Sequence, residues 1–274
     1  MTQVLQEISK GERFAFGANW SRFLNTLTDE RITKAEDSLQ TMLGVDRLDG
    51  RRFLDVGSGS GLFSLAARRL GASVYSFDYD PQSVACAQEL KRRYFPDDGQ
   101  WHIEQGSILD RDYLAQLGQF DIVYSWGVLH HTGEMWSALE NVVPLVEEGG
   151  ALFIAIYNDQ GHVSRRWERI KRNYNKHRWL RPVLLAYGWW KGWGMTTVLD
   201  FYHLRPFVSW RQYGKERGMS PWWDVVDWVG GYPFEVASPE AIFRFYRDRG
   251  FCLQELVTRQ GYGCNEFVFA RQKG

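Results

Sequence analysis

The sequence predicts an α/β fold, a mostly parallel sheet with helices on both faces, and three observations carry that prediction. Short β-branched and aromatic runs alternate with helical patterns along the first half of the chain. The first such run ends in a glycine-rich turn that leads straight into a helix, and the chain closes on two neighbouring β runs joined by a glycine-containing turn. At 274 residues, one elaborated α/β unit accounts for the length without a second core.

Residues 28–43 read as an amphipathic helix, preceded by the segment Phe14-Ala15-Phe16-Gly17-Ala18-Asn19-Trp20, which is aromatic but has no clear period. Residues 52–56 form a strand, 62–70 a helix and 73–77 a second strand, which together make a βαβ unit. The alternation continues with a helix over 81–94 capped by Asp80, strands near 101–104 and over 120–125, a helix over 134–146 and a strand over 151–157. Ser238 is an N-cap with Pro239 at the first helical position, and that helix stops at Gly250. Strands 251–258 and 265–270, joined around Gln260-Gly261-Tyr262-Gly263, bring the sheet to seven strands.

Lys plus Arg and Asp plus Glu both number 33, so total charge points to no nucleic-acid or acidic partner, and any electrostatic argument is local. Cys86, Cys252 and Cys264 are too few and too scattered for a disulfide framework and lack metal-ligand spacing. With no apolar leader in MTQVLQEISKGERF and no run of membrane-spanning length, a soluble, cytoplasmic, metal-free protein is expected. Tryptophan is the outlier: nine of 13 lie between Trp167 and Trp228.

The first strand runs into Leu54-Asp55-Val56-Gly57-Ser58-Gly59-Ser60-Gly61. Gly57, Gly59 and Gly61 satisfy GxGxG, but Leu62 breaks the dinucleotide pattern GxGxxG, which demotes a nicotinamide cofactor. Asp78, about 20 residues on at the end of the second strand, is placed to accept hydrogen bonds from ribose hydroxyls, the alternative being a turn or cap role.

At these residues the chain resembles the class I S-adenosylmethionine-dependent methyltransferases, whose Rossmann-like fold is the seven-stranded sheet described above. Residues 54–61 are similar to their first motif, Ser76-Phe77-Asp78 to the ribose motif, and Gln105-Gly106-Ser107-Ile108 to the stretch that cups adenine. Residues 120–131 resemble the fourth motif, and 147–152 the turn before the fifth strand. The resemblance covers 48–157 and 238–270, and its C-terminal part looks like a bacterial branch resembling ubiquinone-biosynthesis-type or type 11–12 methyltransferases. The chain departs at Ser107, where the family often has Asp. The resemblance implies S-adenosylmethionine as cofactor, with S-adenosylhomocysteine as product. It implies contacts from Asp55, Gly57, Ser58, Gly59, Gly61, Asp78, Tyr79, Ser107, Ile108, Ser125 and Trp126.

Methyl transfer needs alignment and, for a hydroxyl acceptor, a base. His130 and His131 follow the fourth strand at the ligand-binding edge of such sheets; His130 is the first choice for the base, and a loop-capping or cofactor-contact role stays open for both. Tyr157 and Asn158 end the fifth strand where an acceptor would approach, and Phe16, Asn19 and Trp20 either fold over the site or pack on the core.

These features divide the chain into an N-terminal helical lid (1–47), a cofactor-binding core (48–158), a Trp/Arg-rich helical insertion (159–233) and a C-terminal completion of the core (234–274). Arg165, Arg166, Arg169, Lys171, Arg172, Lys176, Arg178 and Arg181 crowd one stretch of the insertion, followed by the apolar, aromatic residues 183–193. That makeup suits either a substrate cap with its Arg in water or peripheral contact with a membrane. The expected function is O-methylation of a small metabolite, glycan or natural-product intermediate. A peptide, protein or RNA acceptor is the alternative, and a noncatalytic cofactor-binding scaffold the second. The sequence leaves the oligomeric state open.

Overall fold

The computed structural model describes residues 3–24, 26–211, 221–261 and 263–274. Residues 212–220 of the predicted insertion and Tyr262 of the predicted turn lie outside the described residues.

Seven strands, β1 (Arg52–Val56), β2 (Ser73–Asp78), β3 (Trp101–Gln105), β4 (Phe120–Trp126), β5 (Val146–Tyr157), β6 (Phe251–Val257) and β7 (Cys264–Arg271), form one sheet. Its order is β3-β2-β1-β4-β5-β7-β6, with β7 antiparallel to β5 and β6 and the other pairings parallel. The direction of winding reverses between β1 and β4, which opens a crevice at their C-terminal ends, the ligand position of such sheets.

Helices flank the sheet: α3 (Asp29–Leu43), α4 (Leu62–Arg69) and α5 (Pro81–Tyr94) on one face, α6 (Arg111–Ala115), α7 (Met135–Val142) and the C-terminal helix Pro239–Arg247 on the other. The two-residue period of a strand sets the division. In β1, Leu54 and Val56 join Leu139 and Tyr246, while Phe53 joins Leu39, Leu65 and Leu90. Each fully buried side chain of this size contributes about 1.5–3 kcal/mol.

A buried polar line crosses the first three strands. Trp101 Nε1 donates to Ser76 Oγ (2.9 Å), Ser76 lies 2.7 Å from Ser64 Oγ, and Ser64 donates to Asp55 Oδ2 (2.5 Å). Because Ser64 spends its proton on Asp55, Ser76 is the donor between the two hydroxyls. Burial pushes the Asp55 carboxyl up to about 7 against the pull of that hydrogen bond.

Three features depart from the sequence expectation. The unpatterned aromatic segment lies mostly in a helix, α2 (Phe16–Leu24), behind α1 (Gln3–Lys10), because its rings are ordered by tertiary contacts that no local period records. The α7 helix stops at Val142 ahead of Pro144. Strand β5 begins at Val146 rather than Ala151, pairing there with Phe120 before the register shifts.

The insertion starts with α8 (His162–Lys176), α9 (Arg181–Trp189) and, after the π-helical segment Trp190–Gly194, α10 (Met195–Tyr202); α11 (Pro221–Gly230) follows. Its core joins Trp167 and Tyr174 of α8 to Val225 and Val229 of α11 and to Phe234.

A carboxyl raised to about 7 in the fold holds more protons than the unfolded chain, whose Asp titrates near about 3.9. Its contribution to stability therefore falls as pH rises between those values. Thermal unfolding of wild type against Asp55→Asn should show wild type losing ground from pH 4 to pH 7; a pH-independent difference would contradict the burial of a titrating carboxyl.

Candidate active site

The glycine turn hangs from β2, since the Gly57 and Ser58 amides donate to the Phe77 carbonyl at 2.9 and 3.1 Å. Gly57 has φ +76°, and a Cβ there would stand 2.3 Å from Val128 Cγ1; Gly61 has φ +80° and abuts Ala87 at 2.9 Å. Both positions demand glycine, by conformation and by space. Asp78 clasps the turn: Oδ2 accepts from Gly59 N (2.9 Å) and Oδ1 from Asp80 N (2.8 Å). Burial raises the Asp78 carboxyl to about 6, opposed by those two amides. The Ser58 hydroxyl is buried in the same turn and has no hydrogen-bond partner among the described residues, which fits a polar ligand held there.

Other predicted positions divide. Tyr79 follows the clasp, with its hydroxyl donating to Glu7 Oε1 (2.8 Å) and Arg13 lying 4.9 Å over its ring. Ser107 Oγ accepts from Leu109 N (3.2 Å), Ile108 is a core residue, and Trp126 stands exposed at the end of β4. Asp55 and Ser125 are turned inward: Asp55 bonds Ser64 on the α4 side, and Ser125 donates to the Val56 carbonyl (3.0 Å). Their side chains support the loop from behind.

His130 and His131 lie in the short 3-10 turn Leu129–His131, strapped by the segment after α11. Glu235 N donates to the His130 carbonyl (3.0 Å), Glu235 Oε2 accepts from Met135 N (2.9 Å), and Pro233 O lies 2.5 Å from His131 Nδ1. A carbonyl only accepts, so Nδ1 carries the proton and the neutral ring keeps its lone pair on Nε2. Burial drives His131 down to about 3, with Lys171 and Arg13 adding to the effect and the Pro233 contact opposing it. His130 is completely buried and held well below the ordinary histidine range, first by burial and then by His131 and Lys171. Neither His130 nitrogen reaches hydrogen-bonding geometry, although the Ala155 carbonyl pulls toward the charged form. Its ring lies tilted against those of Tyr157 and His131, with centroids 4.1 and 4.5 Å away.

The N-terminal helices bridge these parts. Gly17 N donates to Asp80 Oδ2 (3.0 Å), Trp20 faces Gly59, Phe16 lies 4.9 Å from the His131 ring, and Arg13 Nη1 donates to the His131 carbonyl (3.0 Å). Asn19 Nδ2 reaches across to Asp227 of α11. Asn158 Nδ2 donates to the Arg259 carbonyl (3.1 Å) and its Oδ1 accepts from Asn265 Nδ2 (3.2 Å), so it ties β5 to the C-terminal hairpin.

Lys171 is the residue missed from sequence. It is fully buried, its Nζ donates to the Trp228 carbonyl, and it lies 4.2 Å from the Trp228 ring and 4.7 Å from that of Phe234. Burial lowers its pKa to about 7 against the pull of Asp227. Helical spacing held the signal, since Ser164, Trp167, Lys171, Tyr174 and Asn175 are the buried face of α8. Beside it, Tyr157, Trp167, Trp228 and Phe234 line a cavity of about 10 Å³, room for roughly one water. Among the described residues, no group of three or more His, Cys, Asp or Glu could hold a metal ion.

A family model described as "Methyltransferase domain" matches residues 54–152, from the glycine turn through β5. Over that stretch the core is similar to a methyltransferase domain. A tRNA U34 carboxymethyltransferase of Methylococcus capsulatus is 34% identical over 119 residues, covering 43% of this chain and 36% of that protein. A ubiquinone biosynthesis O-methyltransferase of Rhizobium etli is 31% identical over 167 residues, covering 55% and 64%. The chain thus spans only part of the curated relatives it matches. Magnesium protoporphyrin IX methyltransferase of Synechocystis, solved with S-adenosylhomocysteine, shares the fold at TM-score 0.57 and 17% identity over 97% of this chain and 100% of that one.

A lysine lowered to about 7 penalises folding most below that pH, and the penalty is relieved as pH rises toward the ordinary lysine value of about 10.4. The stability of Lys171→Met relative to wild type should therefore be highest at pH 7 and below and should decline toward pH 10. A difference constant with pH would show that the ammonium is not desolvated.

Proposed function

We propose that the chain transfers a methyl group from S-adenosylmethionine to a hydroxyl of a small, largely apolar molecule enclosed beneath the insertion. The observation that carries this reading is the His131 ring, with Nδ1 pinned by Pro233 and Nε2 left free in an apolar setting. The residues present fit the cofactor: the Ser58 hydroxyl, unpartnered among the described residues, and the Asp78 carboxylate, which keeps lone pairs for ribose hydroxyls, while the turn's own amides bond Phe77 and Asp78 and hold the cradle in shape. Bound there, the cofactor supplies a methyl group on a cationic sulfur, and that positive charge disappears on transfer.

The charge balance explains how so buried an imidazole acts as a base. The acceptor oxygen gains a bond to carbon as the sulfur–carbon bond breaks, and its proton passes to His131 Nε2. One positive charge is present before and after the step, so the low-polarity pocket carries no added net charge. His130 and Tyr157 form the apolar wall beside it and keep water from competing.

A macromolecular acceptor would favour an open basic groove. Arg165, Arg166, Arg169 and Arg172 are exposed on α8, while its opposite face packs with Val225, Val229 and Phe234, so these cations point away from the histidines, an arrangement that supports the small-molecule reading. A noncatalytic scaffold would bind the donor and never turn over.

The test is an acceptor screen with labelled methyl donor, followed by variants. His131→Ala should lower kcat by roughly 10² or more with donor binding retained. The same loss in His130→Ala alone would move the base to that ring, and wild-type rates in both would remove the base. Since His131 titrates near 3, kcat should not fall between pH 8 and pH 6 as it would for an ordinary histidine base.

A further inference from the structure

We infer that the outer side of the insertion docks the protein onto an anionic lipid surface. The inference stands apart from the methyl-transfer reading, because it uses residues outside the site. Helix α10 turns an apolar stripe to solvent: Met195, Val198, Leu199 and Tyr202 fall at i, i+3, i+4 and i+7, a single helical face, and Met195 is 73% and Tyr202 81% exposed. Leu204, just beyond, is 89% exposed and is held at φ +56°, a conformation uncommon outside glycine. Trp179, Val183, Trp190, Phe201 and Phe207 are further exposed apolar residues of the insertion. A solvent-facing apolar helical stripe marks an interaction face.

Charge selects the occupant. Residues 169–211 hold nine Lys and Arg, all but the buried Lys171 at least partly exposed, against one acid, Asp200. Asp200 is buried and accepts from Ser209 N (3.0 Å) and Ser209 Oγ (2.7 Å), so it does not offset the cations outside. Lys176, Arg178, Lys191, Arg205 and Arg211 are all exposed. A second copy meeting this face by two-fold symmetry would bring these cations against their equals. An anionic bilayer instead offers opposite charge to the basic residues and an acyl boundary to the apolar ones, with Trp at the interface. No helix among the described residues is long and apolar enough to cross a membrane, so the contact lies in the surface plane. The segment from α9 through α10 runs about 33 Å, long enough for apolar and cationic contacts to act together.

The test is co-sedimentation of the full chain with phosphatidylcholine vesicles, with and without phosphatidylglycerol, alongside sizing of the free protein. Wild type should pellet with the anionic vesicles roughly tenfold more than with neutral ones, and salt should weaken the binding. Met195→Glu with Tyr202→Glu should abolish binding, and Arg205→Glu with Arg211→Glu should reduce it; unchanged unfolding temperature and S-adenosylhomocysteine affinity would show both variants folded. Wild type that stays in solution with anionic vesicles overturns the inference, as does binding that neither variant alters. A dimer that the Met195→Glu, Tyr202→Glu variant dissociates, without vesicle binding, would assign the face to a second copy.

Discussion

The Asp78 carboxylate holds two amides, those of Gly59 and Asp80, and most of the site is organised around that clasp. Fixing Gly59 sets the turn between β1 and α4. Fixing Asp80 sets the start of α5, which Asp80 then caps through Gln82 N at 2.9 Å. The other oxygen of Asp80 takes the Gly17 amide, so α2 is anchored beside the Asp78 clasp. A carboxylate drawn partly out of water is costly unless it is hydrogen-bonded, and the two amides meet that need for the half-buried Asp78.

From that corner the constraint passes to the acceptor side through packing. Val128 fills the space above Gly57, which sets the path of the loop that presents His130 and His131. The strap from Pro233 to Glu235 then fixes the tautomer of His131 and caps α7. Lys171 and Asn175 bind backbone carbonyls of α11, the helix from which the strap departs, so the insertion sets the position of the histidines through that strap. Its inner face is aromatic and closed, and its outer face is apolar and cationic.

The core was legible because its signals are local. Strand period, glycine turn and N-caps at Asp80 and Ser238 are each written within a few residues, and the strand order follows from their sequence and spacing. What escaped depends on contacts distant in sequence. The α2 helix is ordered against Asp80, His131 and Asp227, up to 208 residues away. Asp55 and Ser125 carry polar groups in the expected motifs, yet strand alternation turns them into the layers behind the crevice. Lys171 reads as one cation among eight until the helical face is drawn, and the choice between two adjacent histidines rests on Pro233, 102 residues downstream.

The central claim is that this clasped turn is a donor pocket for S-adenosylmethionine. Calorimetric titration with S-adenosylhomocysteine, comparing wild type with Asp78→Ala and the closer mimic Asp78→Asn, tests it most directly. The account predicts micromolar binding to wild type, weakened roughly tenfold or more by both substitutions, because each removes a charged acceptor for the ribose. A folded wild-type protein that binds no S-adenosylhomocysteine, or variants that bind it as tightly, would contradict the account.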